Sequence, residues 1–333
     1  MRAVLQNGFG GADVLYVGEA EAPEAAPGRV LIRVAAASVN RPDIVQREGN
    51  YPPPPGESPI LGLDAAGTIE AVGDGVTGFA PGDRVVALLP GGGYAELAAA
   101  PAGQVLPLPE NLSFAAGACI PEAYITAYMN LFMNARLADG ETVLLHGGGG
   151  GVTTAAIQLC RTLVPRARVL VTASPAKIER VAALGGVEHV IDYRNEDFAA
   201  AVLERTGKRG ADVILDHVGG PYLERNVKAL AVGGRLALIG IMGGRQGALD
   251  LARVLTRRLA ILGSVLRPRS LDEKAGIVRA FARNVMPHFA SGRITPLVDR
   301  VYALDDVAAA HRDMEAGRHF GKLVLAVTAE GQP

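Results

Sequence analysis

The chain contains no tryptophan, and aromatic residues make up only 5% of its 333 positions. Stacking platforms for single-stranded nucleic acid are built from such rings, so that class of partner is disfavoured. Neither sign of charge prevails, since 33 Lys and Arg face 34 Asp and Glu for a formal net charge of -1. A nucleic acid or an anionic membrane as main partner would call for a basic surplus. Cysteine is almost missing. Cys119 and Cys160 cannot build a disulfide framework or a four-cysteine zinc lobe, which points to a reducing compartment. No uninterrupted apolar run reaches membrane-spanning length, and the opening MRAVLQNGFGG lacks the apolar core of a secretory signal, so a cytoplasmic protein is expected. The six histidines show no HxxxH or HExxH spacing, and no metal site is expected from them.

What is present is a globular composition, 49% hydrophobic and 20% charged, with enough length for about two domains. The stretch at 141–159, ETVLLHGGGGGVTTAAIQL, organises the second half. An apolar strand at 142–145 runs into five glycines, 147–151, and then into a small-residue helix with one apolar face. Glycines at a strand-to-helix turn allow a sharp bend and let a pyrophosphate approach the backbone. The helix N-terminus then offers free N–H donors, so Gly150, Gly151 and Val152 are candidate cofactor contacts. Thr153 stands where the last glycine of the usual fingerprint is expected, and a glycine-rich linker is the alternative reading.

Strands and helices alternate from about 140 onward. Strand candidates lie at 142–145, 168–172, 189–191, 212–215 and 235–239, with helices at 154–162, 175–184, 195–205 and 222–230. Near-continuous apolar strands in that alternation imply a parallel sheet covered on both faces, a Rossmann domain. Residues before about 125 read as short strands with long loops, which suggests a small barrel. The run YPPPP at 51–55 must be a rigid, extended loop. After an apolar strand at 260–265, helix is expected over 271–290 and strands return at 297–301 and 321–327. The tail therefore re-enters the first domain. The expected domains are 1–124 with 266–333, and 125–265, with a cleft between them; the strand at 260–265 suggests sheet extension across a homodimer.

The choice of dinucleotide rests on the end of the second Rossmann strand. An NAD enzyme needs an acid there for the ribose 2′-hydroxyl, but the sequence reads Val171-Thr172-Ala173-Ser174-Pro175-Ala176-Lys177. Ser174 and Pro175 suit an N-cap and first helical residue, while Lys177 falls where the helix dipole disfavours a cation. A phosphate on the ribose explains that lysine, so the cofactor is expected to be NADPH; a solvated surface lysine is the alternative. Tyr193 and Arg194 could reach the same adenosine end, and the turns at 216–220 and 240–244, including Gly240, Ile241 and Met242, should face the crevice. Asp216 and His217 invite an acid–base reading, with a capping role as the stronger alternative.

Seven motifs in order carry a resemblance: SVNRPD at 38–43, REGNYP at 47–52, GLDAAG at 62–67, LPGGG at 89–93, IPEAYITA at 120–127, LIGIMGG at 238–244 and GSVLR at 263–267. With the glycine turn they span nearly the whole chain. The sequence resembles the zinc-independent quinone oxidoreductase branch of the medium-chain dehydrogenase/reductase superfamily, in particular its stress-inducible NADPH-dependent members. The resemblance implies an α/β protein, a GroES-like β-barrel catalytic domain plus a Rossmann doubly wound parallel sheet domain. In zinc-dependent relatives a cysteine follows the first catalytic-domain strand and a Gly-His-Glu motif comes later. The corresponding places here carry Asn40-Arg41-Pro42-Asp43 and Gly62-Leu63-Asp64, so no zinc is expected to polarise a carbonyl.

The resemblance further implies hydride transfer to a small-molecule quinone, with Tyr51 as hydrogen-bond donor and Asn40 as an orienting amide in the substrate pocket. Tyr51 could instead merely pack on the prolines. By the same resemblance Thr126 contacts the nicotinamide carboxamide, and Val265, Leu266 and Arg267 cover its ring. His319 and Lys322 lie where the tail meets the cofactor, and a cation there would suit the pyrophosphate. Two other readings remain open: reduction of an activated C=C bond in enones or enals, and a non-catalytic NADPH-binding sensor.

Overall fold

The structure is a computed structural model that describes residues 1–331. The chain divides into two compact units, one formed by Met1–Ile125 with the segment from Leu266 onward, the other by Thr126–Val265.

The first unit is built on Arg29–Val39, an 11-residue strand buried along nearly its whole length. One edge pairs antiparallel with Asp64–Val72. The other edge is shared, its first half pairing with Leu97–Pro101 and its second half with Lys322–Ala326. Val298–Ala303 flanks Lys322–Ala326 at one end of the sheet, and Arg84–Leu88 then Val105–Pro107 follow Asp64–Val72 at the other. Register shifts between Leu31 and Ile32 and between Val34 and Ala36 bend the central strand, as barrel closure requires. Ile32, Val34, Ile44, Leu61, Val85 and Leu325 fill the interior. Each such side chain contributes about 1.5–3 kcal/mol by leaving water.

The second unit carries six parallel strands in the spatial order His189–Asp192, Arg168–Ala173, Thr142–Leu145, Ala211–Asp216, Leu230–Leu238 and Ala260–Gly263. In chain order that is 3-2-1-4-5-6, the doubly wound arrangement. The winding reverses between Thr142–Leu145 and Ala211–Asp216, and ligand crevices of such sheets lie beyond the carboxyl ends at that reversal. Leu144, Leu170, Ile191, Phe198, Val202, Ile214 and Leu236 form the core under the helices.

Two local expectations are corrected. Residues 271–290 form two helices, Leu271–Asn284 and Met286–Ala290, not one. Pro287 in the first turn of the second has no N–H to continue the ladder, and the break falls at Val285. The segment read as a helix at 175–184 is a 3₁₀ turn, Pro175–Lys177, followed by Ile178–Ala182, and the Ser174 hydroxyl makes no capping bond. The helices Arg41–Arg47, Leu251–Arg257 and Val307–Glu315 and the π-helical turn Met129–Asn134 are further elements; the first opens on Asn40 with Pro42 and Asp43, a capping box, and the second on Asp250, whose carboxylate accepts from the Arg253 N–H. Among the described residues no helix is long and apolar enough to cross a membrane.

Candidate active site

The glycine turn sits at the winding reversal of the second unit. Gly147 has φ 68°, a left-handed conformation, and a Cβ there would come within 2.4 Å of the His217 ring. Gly149 lies against the arm of Lys177, where a Cβ would be 2.3 Å from Cδ and 2.8 Å from Nζ. The lysine thus lies across the turn instead of extending into solvent. Gly150 is the N-cap of Gly151–Leu163 and supplies no side chain, so the first helical N–H groups, Val152 among them, stay open to an anion.

Thr153, the departure from the fingerprint, is buried and donates its hydroxyl to the His146 carbonyl at 2.6 Å. The side chain fastens the turn instead of crowding it.

Beneath the turn runs a closed polar network. His146 donates from Nε2 to Asn226 Oδ1 at 2.8 Å and meets the Thr172 hydroxyl at 3.0 Å through Nδ1. Burial pushes His146 down to about 3, so the ring is neutral. Asn226 in turn donates to Asp216 Oδ2 at 2.9 Å, and Asp216 accepts from the N–H groups of Val218 and Gly219 at 2.7 and 3.2 Å. Asp216 therefore shapes the turn before Gly220–Ala229, the capping role, although burial raises it to about 6. The 240–244 turn is tied to this one by the Met242 N–H donating to the His217 carbonyl at 3.0 Å, which leaves Ile241 and Met242 exposed. Val265 is exposed at the end of this unit, Tyr193 half-buried after the third strand, and the buried Thr126 hydroxyl has no hydrogen-bond partner among the described residues.

The first unit holds a second polar cluster. Asp64, fully buried, accepts from the Ser38 N–H at 2.9 Å and hydroxyl at 2.7 Å, and from Asn40 Nδ2 at 3.1 Å. Asn40 Oδ1 accepts from the Lys322 ammonium, which also donates to the Val39 carbonyl at 3.1 Å. Asn40 is therefore a bridge between a buried cation and a buried carboxylate, and it shares no hydrogen bond with Tyr51. Lys322 thus spends two of its three N–H groups on Val39 and Asn40 inside this cluster. Asp43 accepts from the Asn40 N–H at 2.8 Å, the Tyr94 hydroxyl at 3.0 Å and the Gly62 N–H at 3.1 Å. Burial, then the neighbouring Asp64, pushes Asp43 up to about 7, and burial also raises Asp64 against the pull of Lys322.

Tyr51 stands on its proline loop with its ring against the Arg267 guanidinium, 5.1 Å from carbon to centroid. Its hydroxyl has no hydrogen-bond partner among the described residues, and burial pushes the phenol up to about 12. Arg267 is 7% exposed and Leu266 5%; Arg267 donates from Nε to the Pro90 carbonyl at 2.8 Å and from Nη1 to the Tyr51 carbonyl at 3.2 Å. Glu122, in the first turn of Pro121–Tyr128, is part-exposed as a residue but has an enclosed carboxyl; burial, then Asp64, raises it to about 8.

Asp43, Asp64, Glu122 and Tyr94 are functional candidates that sequence reasoning gave no role. A signal existed for two of them, since Asp64 in GLDAAG and Glu122 in IPEAY sit in apolar or small-residue stretches, where a solvated carboxylate has no place. Among the described residues no group of three or more His, Cys, Asp or Glu is placed to hold a metal ion.

A doubly wound nucleotide-binding unit carried on one chain with a closed β unit is the build of the two-domain dehydrogenases and reductases. Residues 26–110 match the family described as "Alcohol dehydrogenase GroES-like domain" and residues 185–325 that described as "Zinc-binding dehydrogenase". The human synaptic vesicle membrane protein VAT-1 homolog-like is 32% identical over 100% of this chain and 82% of its own. Rat quinone oxidoreductase is 32% identical over 98% of this chain and 97% of its own. Among solved structures, a mycobacterial protein complexed with NADPH is 31% identical with a TM-score of 0.87, covering 98% of this chain and 99% of that one. The CurK enoyl reductase is 27% identical with a TM-score of 0.86, covering 98% of each. The chain belongs to the medium-chain dehydrogenase/reductase family, as an oxidoreductase with the GroES-like and Rossmann-type units of that family.

Proposed function

We propose that the protein is an NADPH-dependent reductase of quinones that works without a metal. The observation that carries the cofactor is the Lys177 arm folded over Gly149, beside a Ser174 hydroxyl not used as a cap and a strand end without an acid. Gly150, Gly151 and Val152 would hold the pyrophosphate, Ser174 and Lys177 the 2′-phosphate with Tyr193 near the adenosine, and Thr126, Gly240, Ile241, Met242, Val265 and Leu266 the nicotinamide half. Bound there, the cofactor supplies a hydride. The chain's own task is to place donors where negative charge develops on the acceptor oxygen, because a quinone is already electrophilic and needs little Lewis-acid help. Tyr51, with an uncommitted hydroxyl, is the donor, and Asn40 holds the polar cluster behind it. The balance is quinone plus NADPH plus a proton giving hydroquinone and NADP⁺. The protein would act in the cytoplasm as a homodimer, extending its sheet at the edge strand Ala260–Gly263.

Reduction of an activated C=C bond is the second reading, supported by the likeness to the CurK enoyl reductase. It asks for the same hydride and a donor for an enolate oxygen. NADPH oxidation followed with ortho- and para-quinones and with an alkenal decides between them: quinone turnover at least tenfold above alkenal turnover is expected, and no turnover with any quinone sinks the leading reading.

A further inference from the structure

Arg267 is the most unusual side chain of the first unit. Its guanidinium is buried, yet no carboxylate pairs with it among the described residues. Burial lowers its pKa, and Tyr51, Asp43 and Glu122 oppose that only through space. A buried cation without a counter-charge is costly, and folds retain one when something else supplies the anion. Two of its nitrogens are fixed, Nε on the Pro90 carbonyl at 2.8 Å and Nη1 on the Tyr51 carbonyl at 3.2 Å. Those two bonds set the plane of the fork.

The remaining nitrogen, Nη2, is buried and has no hydrogen-bond partner among the described residues. Gly91 borders it, where a Cβ would come within 3.5 Å of Nη2 and 2.5 Å of the Ser58 carbonyl, so that flank stays clear of side chains. The ring stacked on the guanidinium belongs to Tyr51, whose hydroxyl is also unspent. Two unused donors on two stacked side chains describe a place for oxygen.

We propose that Arg267 Nη2 is the principal donor to the acceptor oxygen that becomes anionic, forming with the Tyr51 hydroxyl a subsite for aryl oxides, the reduced forms of quinones. This deepens the quinone-reductase reading and rests on it for the reaction, though not for the binding. It also reassigns Arg267 from the cofactor to the acceptor. The division of labour follows from the chemistry of the two groups. A phenol pushed up to about 12 gives its proton up poorly, whereas a guanidinium stays charged at any working pH. When the hydride and its electron pair reach the ring, Arg267 holds the oxyanion, Tyr51 orients it, and the proton that completes the hydroquinone comes from solvent.

The test uses 4-nitrocatechol, a coloured aryl oxide that accepts no hydride, titrated into the purified full-length protein. The expected result is binding as the phenolate, seen as the phenolate absorbance appearing below the free compound's own pKa, with no binding of its dimethyl ether. Arg267→Met should weaken that binding at least about tenfold and Arg267→Lys less, because the hydrogen bond to a charged oxygen is lost in the first and re-aimed in the second. For quinone turnover, Arg267→Met should lower kcat/KM about a hundredfold while the KM for NADPH stays within about twofold. Equal binding of the dimethyl ether by the wild-type protein overturns the subsite without any variant. Unchanged nitrocatechol binding in Arg267→Met, or a loss of NADPH affinity matching the loss of turnover, returns Arg267 to the cofactor. Arg267-dependent nitrocatechol binding without turnover of any quinone sinks the proposed reaction and leaves the subsite standing.

Discussion

Each unit has a polar network in its interior, and the two are finished differently. In the Rossmann unit His146, Thr172, Asn226, Asp216 and Thr153 satisfy one another or the backbone, ending on the N–H groups of the 216–219 turn. In the barrel unit the inner part, Ser38, Asn40, Asp64 and Lys322, is closed in the same way. Its outer part is open, with Nη2 of Arg267 and the hydroxyl of Tyr51 unspent. Closed networks hold a shape, and unspent donors wait for a ligand, because a buried polar group without a partner is retained only against its cost. On the proposed function, the first network would be a scaffold for a cofactor turn and the second the place where the acceptor is bound.

The largest effect should come from breaking the closed part of the barrel network. Lys322→Met strands Asp64 without its bridged cation, and a loss of about 3–5 kcal/mol in urea unfolding is expected. The pair Lys322→Met with Asp64→Leu should recover most of it. A folded Lys322→Met protein that loses only NADPH affinity would instead place the ammonium at the pyrophosphate. Next in size, Lys177→Ala should weaken NADPH by about 1.5–3 kcal/mol and NADH hardly at all, read by cofactor fluorescence titration; equal losses would remove the 2′-phosphate assignment. Thr153→Gly trades one hydrogen bond and some helix propensity for the fingerprint residue. About 1–2 kcal/mol of thermal stability should go, with cofactor affinity held within about twofold if the network is a scaffold.

A further effect is one of pH. Glu122 is raised from 4.5 to about 8, so the folded state holds its proton where the unfolded state does not. That contribution is complete below the unfolded pKa and is lost as pH rises through about 8. Asp43, at about 7, adds in the same direction. Melting curves from pH 5 to pH 9 should show Glu122→Gln gaining on the wild-type protein as pH rises, and parallel curves would mean that the carboxyl is solvated.

The fold was legible because its signals are periodic. A strand such as TVLL at 142–145 buried on both faces, five glycines and a helix with small residues on one side leave few alternatives, and Lys177 is conspicuous because a helix start disfavours it. The break at Val285 was carried by Pro287 and could have been read; the π-helical turn Met129–Asn134 has no sequence signature to read. The candidate site was less legible, for a physical reason. Asn40 and Lys322 are separated by 282 residues, and nothing in either neighbourhood says that one bonds the other. Pairwise polar contacts across such distances carry no period. What could have been noticed is the type of anomaly: Asp64 amid GLDAAG is an acid in a stretch meant for burial, and such an acid must have a partner somewhere.

The strand Lys322–Ala326 lies in the sheet between Val298–Ala303 and Arg29–Val39. In time, that arrangement sets an order of assembly. The Rossmann unit is one continuous segment, Thr126–Val265, and can form as it leaves the ribosome. The barrel unit cannot close its sheet, nor cover the carboxylate of Asp64 with a counter-ion, until the last strand has been made. Until then the early strand Arg29–Val39 offers half an open edge and its interior holds an acid without a base, so the late-arriving lysine acts as a clasp. The longest-range closure belongs to this unit, and the interval before it is when the chain is most exposed to mispairing with another copy of itself.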